Sequence, residues 1–188
     1  VGLGGGPGEW DDFEWVSLSD LPVEPLAEAL LEWLADHPVW TDPRLERVLL
    51  VDLDNLRADP ARWRIRMAAM LALARQADHA HFAGQRGAVR RARPYLDELA
   101  ETLQEVPDGS DLADHALLEA ASELDAAGTQ VTVVSNDGIF AGLAEDGPLT
   151  VVSPGRDALS NALRRAATRV IDLSSLEEAA AGAAEGAY

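Results

Sequence analysis

The sequence predicts an α/β protein with a central, mostly parallel sheet, built as a three-layer sandwich and preceded by an acidic, helical N-terminal extension. Three observations carry that expectation. Two short strand-like runs, an apolar and partly β-branched one at 48–51 and a β-branched one at 130–134, each end in clustered acids and amides, as buried parallel strands do when their carboxyl ends form a ligand edge. Amphipathic stretches of helical period alternate with such runs along the chain, and strand–helix alternation is the pattern of a parallel sheet. The charge is segregated: residues 1–36 hold nine acids and no base, whereas all 15 basic residues, every one Arg, lie between 44 and 169.

Taken in order, residues 1–8 are Gly-rich and read as a linker. Residues 9–20 mix acids with Trp10, Phe13 and Trp15, as a mobile arm or a protein-partner motif does. Leu26, Leu30, Trp33 and Leu34 recur at helical spacing, so 23–36 reads as a helix packed on the main domain, with Pro25 in its first turn and His37-Pro38 ending it. The first strand, 48–51, runs straight into Asp52, Asp54 and Asn55. Trp63, Met67, Met70, Leu71 and Ala74 mark a helix over 60–75. A weak strand over 77–82 carries His79 and His81, read as strand residues rather than ligands, and Gly84 and Gly87 mark a loop after it. The spacing of Val89, Ala92, Leu96, Leu99 and Leu103 predicts a helix over 88–104, kinked or begun at Pro94. Arg86, Arg90, Arg91 and Arg93 cluster at its start, where positive charge is unfavourable and an anionic partner such as phosphate would relieve it.

A third helix follows to Ala127, with Ser110 or Asp111 as its cap; Asp108, Asp111 and Asp114 are more acids than one cap uses. Asp111 and Asp114, three apart, share a face. After the strand 130–134 come Ser135, Asn136 and Asp137. A helix to Ala144, a strand over 149–152, a helix over 157–167 and a strand over 170–173 complete the alternation. The Glu/Ala/Gly segment from Glu177 is low in complexity, helical or disordered. The organisation expected is therefore an extension over 1–43, one domain over 44–173 and an acidic tail over 174–188.

Net charge is −18, and cysteine is absent. The acidity argues against non-specific nucleic-acid binding by the whole chain, but residues 37–171 carry only a small net charge. Without cysteine, disulfides and thiolate sites are excluded. No apolar run reaches the ~18 residues of a membrane span, and the start is acidic rather than basic then apolar, so a cytoplasmic location and no membrane partner are expected. Asp52, Asp54, Asp111, Asp114 and Asp137 should meet at one sheet edge. Carboxylates packed together repel unless a cation joins them, and an all-oxygen set suits Mg²⁺ or Mn²⁺.

Three segments in order carry a resemblance. Val-Asp-Leu-Asp-Asn-Leu at 51–56 resembles the opening Asp-x-x-Asn motif of NYN domains in the PIN-like nuclease superfamily. Asp-Leu-Ala-Asp-His-Ala-Leu-Leu at 111–118 is similar to that family's middle acidic segment. Val-Val-Ser-Asn-Asp-Gly-Ile-Phe-Ala-Gly-Leu at 133–143 is similar to its strand-end Ser-x-Asp segment. The resemblance spans about 44–173. It implies a metal-dependent ribonuclease with Asp52, Asn55, Asp114 and Asp137 as catalytic residues, metal on Asp52, Asp111, Asp114 and Asp137, and Ser135 and Asn136 as supporting substrate contacts. RNA is the implied partner, with Arg86, Arg90, Arg91 and Arg93 on its backbone; a homodimer, or a protein partner for the acidic arm, is also compatible. The chain departs from the family where many relatives carry a further acid, having Ile139 and Ala141, and it has Asp108-Gly109-Ser110 where Lys-Gly often stands. Two rival readings remain open: a PIN-like module that binds RNA or protein without cleaving, and a haloacid-dehalogenase-like phosphatase with Asp52 as nucleophile and Asp54 as acid/base.

Overall fold

The computed structural model describes residues 22–109 and 111–185. The Gly-rich start, the acidic-aromatic stretch 9–20 and Ser110 lie outside the described residues. Six strands form one sheet: β1 (Glu46–Asp52), β2 (His79–Gln85), β3 (Leu103–Val106), β4 (Thr129–Val134), β5 (Leu149–Ser153) and β6 (Arg169–Asp172). Their order is β3-β2-β1-β4-β5-β6, and every pairing is parallel. The helices are α1 (Val23–Asp36), α2 (Pro60–Gln76), α3 (Arg86–Ala92), α4 (Leu112–Ser122), α5 (Asn161–Ala166) and α6 (Leu173–Glu185), with several 3-10 turns between them.

Side chains alternate across the strands and so fill two layers. Leu49, Val51, Phe82, Val134 and Val152 pack under α1, α2, α3 and α6. Val48, Leu50, Ala83, Val133 and Val151 pack under α4, α5 and the 3-10 run Gly138–Glu145. This is the three-layer α/β sandwich, with a sheet that is parallel throughout. The links β1 to β2 to β3 run on one face, and those from β3 through β6 on the other. That is the outcome of right-handed crossovers once strand order reverses. The reversal falls between β1 and β4, the place where ligands bind in open α/β sheets.

Local chemistry explains the start of α2. Asp59 caps α2 by accepting the Arg62 N–H, and Pro60 occupies the first helical position, where its missing donor costs nothing. α2 is buried on nearly all sides, from Trp63 through Ala74, because the sheet lies under it and α1 and α6 lie over it. α1 buries Leu26, Ala27, Leu30 and Leu34 there. The Glu/Ala/Gly segment from Glu177 is helical: it belongs to α6, and Leu173, Leu176, Ala180 and Ala181 join the same core.

The stretch 79–106 differs from expectation. β2 continues through Gly84, and Gly87 lies inside α3; neither forms a loop. Gly84 is needed in the strand because a Cβ there would come within 2.9 Å of the Leu53 Cβ. The helix expected over 88–104 is the short α3, which stops before Pro94; a 3-10 run (Asp97–Thr102) and the edge strand β3 follow. The apolar spacing of Leu96, Leu99 and Leu103 mimicked a helix, but Pro94 cannot donate the hydrogen bond that would continue one. Arg90 and Arg91 therefore stand in the last turn of α3, where cations are favourable. The helix-start argument for an anionic partner does not hold for those two.

Candidate metal centre

Parity places Asp52. It follows Val51 on β1, so its side chain turns to the α4 face with Val48 and Leu50. Val51 pairs with Val134, which brings Ser135, next after β4, alongside Asp52; the Ser135 hydroxyl donates to Asp52 Oδ2 at 3.2 Å. Asn55 Nδ2 donates to the same oxygen at 2.5 Å, and the Asp54 N–H to Oδ1 at 3.2 Å. Asp52 and Ser135 are buried. The one Ser135 oxygen also accepts the Asp137 N–H at 3.2 Å, so it couples both strand ends.

The crossover from β3 to β4 supplies the rest. Asp111 sits at the N-cap of α4 with φ of 65°, a left-handed conformation that is uncommon for any residue but glycine, and its side chain makes no capping hydrogen bond. Its carboxylate is free to join Asp114, one turn into the helix. One oxygen each of Asp111, Asp114 and Asp137 lies within 4.8 Å of the others, with Asp111 exposed, Asp114 buried and Asp137 half-buried. The Asp114 carboxyl lies against those of both Asp52 and Asp137, close enough to share a proton with either. Four carboxylates from three separate segments thus converge at the switch point.

The electrostatics follow from that crowding. Burial, then the charges of Asp52 and Asp137, push the Asp114 carboxyl up to about 8. Burial also raises Asp52, against the opposing hydrogen bond from Asp114. Without a cation the pair shares a proton near neutral pH. The donor set is all oxygen, with no histidine in the cluster, and fits a hard divalent cation.

The remaining residues singled out in the sequence fall into other roles. Asp54 turns to β2, where both its oxygens accept the Gln85 N–H at 3.1 Å, and it pairs with Arg57 at 3.7 Å. Asn136 donates from Nδ2 to the Gly155 carbonyl and accepts the Ser153 hydroxyl at 2.6 Å, so its amide ties the ends of β4 and β5. Arg91 lies over the Trp63 ring at 4.6 Å and donates to the Ala58 carbonyl at 3.0 Å. Arg86, Arg90 and Arg93 are exposed and unpaired among the described residues; Arg86 directly follows β2 on the carboxyl edge. His79 pairs with Glu46, and burial lowers His81; neither joins the acids. Ile139 packs into the α4-side core, an apolar role that leaves no acid there. Sequence reasoning missed Arg66 and Glu177, both buried beneath the site loops; a charge of each sign inside an apolar helical stripe was the available signal.

No family model matches the chain, and no curated protein matches it. Among solved structures, a crystal structure of a protein of unknown function from Vibrio parahaemolyticus is similar, at 16% identity over 71% of this chain and 96% of that one, with a TM-score of 0.48. No helix among the described residues is long and apolar enough to cross a membrane.

Proposed function

We propose that the chain is a metal-dependent nuclease that hydrolyses RNA phosphodiester bonds at this acid cluster. The observation that supports the reading is the convergence of Asp111, Asp114 and Asp137 within 4.8 Å, with Asp52 beside Asp114, at the strand-order switch. Four carboxylates there do not stabilise the fold, since each raises the cost of ionising the next. Mg²⁺ or Mn²⁺ held by Asp52, Asp111, Asp114 and Asp137 supplies charge neutralisation and Lewis acidity toward the phosphodiester.

The chain's own groups do the orienting. Ser135 and Asn55 fix the Asp52 carboxylate. Asn55, tethered by its amide nitrogen, keeps its carbonyl oxygen for water or a sugar hydroxyl. Arg86, Arg90 and Arg93 meet backbone phosphates, which makes binding salt-sensitive. The resemblance of the three motifs to NYN domains supports RNA as the substrate. The phosphatase reading is weaker, because its acid/base Asp54 is committed to the Gln85 N–H and Arg57.

The test is cleavage of a panel of single- and double-stranded RNAs with Mn²⁺ or Mg²⁺, wild type beside Asp52→Asn. Cleavage that needs metal and is lost in the variant supports the nuclease. Binding of metal and RNA without cleavage identifies the inactive binding module instead.

A further inference from the structure

The 3-10 turn Leu53–Leu56, which carries Asn55, ends in carbonyls with no helical partner. Two arginines take the carbonyl at its end and those just beyond it. Arg66 Nη1 donates to the Leu56 carbonyl at 3.0 Å, with a longer contact to that of Arg57 at 3.5 Å, and Arg91 Nη2 donates to that of Ala58 at 3.0 Å. Arg66 also reaches across the sheet edge: its Nη2 lies 3.4 Å from the carbonyl of Pro154, after β5. The next residue, Gly155, accepts the amide of Asn136, the neighbour of Asp137. Glu177 of α6 balances the charge, with Oε1 3.1 Å from Arg66 Nε and Oε2 2.8 Å from Arg62 Nε. Arg66 is 5% exposed and Glu177 2%.

A buried ion pair is a poor way to hold two helices together, because desolvation cancels most of its attraction and apolar residues of similar size do as well. An apolar pair cannot, however, bond carbonyls in two loops at once. A guanidinium can, because its donors point in fixed, diverging directions. We infer that Arg66, held by Glu177, is a positioning residue for the acid cluster: it fixes the loop behind Asp52 and Asn55 against the loop that anchors Asn136, the neighbour of Asp137, and so makes α6 part of the site's framework. The inference rests on the metal-centre reading of those acids.

The test uses the full chain and Mn²⁺ as the probe. Arg66→Met combined with Glu177→Leu removes both charges and keeps an apolar contact; Arg66→Lys keeps the charge and loses the fork. Expected for both are a folded protein, Mn²⁺ affinity lower by about tenfold, as for other residues that orient metal ligands, and faster amide exchange over 53–58 and 155–156. Wild-type affinity and exchange in the folded double variant would overturn the inference. Loss of folding in both variants also overturns it, since Arg66 would then serve the fold alone. If the wild type binds no Mn²⁺, the metal-centre reading falls, and amide exchange alone judges the clamp: an unchanged rate over 53–58 ends it.

Discussion

Replacing Asp114 by Asn should stabilise the metal-free protein while abolishing its response to metal. The carboxyl of Asp114 stands at about 8 in the folded chain against an ordinary 3.8. The folded state therefore holds this proton more tightly than the unfolded one. The stability it contributes is complete below about pH 4 and is lost as the pH rises to about 8, at up to about 1.4 kcal/mol per pH unit. At pH 8 the ceiling is about 5 kcal/mol, and solvent screening from the exposed Asp111 side of the cluster reduces it to about 2 kcal/mol. Asparagine has the same shape, carries no charge and still offers a donor to Asp52. Asp114→Asn should thus exceed the wild type by about 2 kcal/mol in chelator at pH 8, or about 4–8 °C in melting temperature for a chain of this size. At pH 5 the gap should shrink to less than about 1 kcal/mol. With Mn²⁺ at 100 times its dissociation constant, the wild type should gain about 2.7 kcal/mol and the variant none. Thermal melts at pH 5 and pH 8, with chelator and with Mn²⁺, decide the matter. A variant that melts below the wild type in chelator at pH 8 would refute the argument, because the Asp114 carboxylate would then be favourably partnered without a cation.

Three further outcomes follow from the same geometry. Because metal must displace the proton on Asp114, Mn²⁺ should bind up to about tenfold more tightly per pH unit below about 8 and level off above it; calorimetry at pH 6, 7 and 9 checks this, and a flat profile contradicts it. Replacing Arg86, Arg90 and Arg93 together by Gln should reduce the salt dependence of single-stranded RNA binding by a log–log slope of about 2, whereas Arg91→Gln, which removes the Trp63 stack and the Ala58 hydrogen bond, should lower stability by about 1 kcal/mol with little change in slope. Gly84→Ala forces its new Cβ against Leu53, which lies between Asp52 and Asp54; a loss of about 1–3 kcal/mol and weaker Mn²⁺ binding are expected by denaturant melts and calorimetry.

The layered α/β architecture was legible because its signals are local. Val48 to Val51 and Val131 to Val134 are apolar runs too short for helices, and each breaks into acids and amides. The spacing of Leu26, Leu30 and Leu34 marks one face of α1 without reference to anything else. Strand β3 was not legible, since Leu99 and Leu103 also fit a helical stripe, and only the break at Pro94 separates the two. The fate of Gly84 was hidden for a similar reason: a glycine in a strand and one in a loop look alike until the approach of Leu53 is known.

The acids themselves were written in the chain, and their excess over any capping need marked them out. What only the tertiary structure decided is how they meet. Strand parity turns Asp52 toward α4, register sets Ser135 beside it, and the reversal of strand order between β1 and β4 brings the start of α4 over the same edge. Tertiary structure also turned Asp54, one of the acids expected there, to β2 instead. It likewise paired Arg66 with Glu177 across 111 positions, a contact with no trace in local pattern. Periodicity reports which face of an element is apolar; the partner that a polar side chain meets depends on which elements become neighbours, and that is settled only when the sheet is assembled.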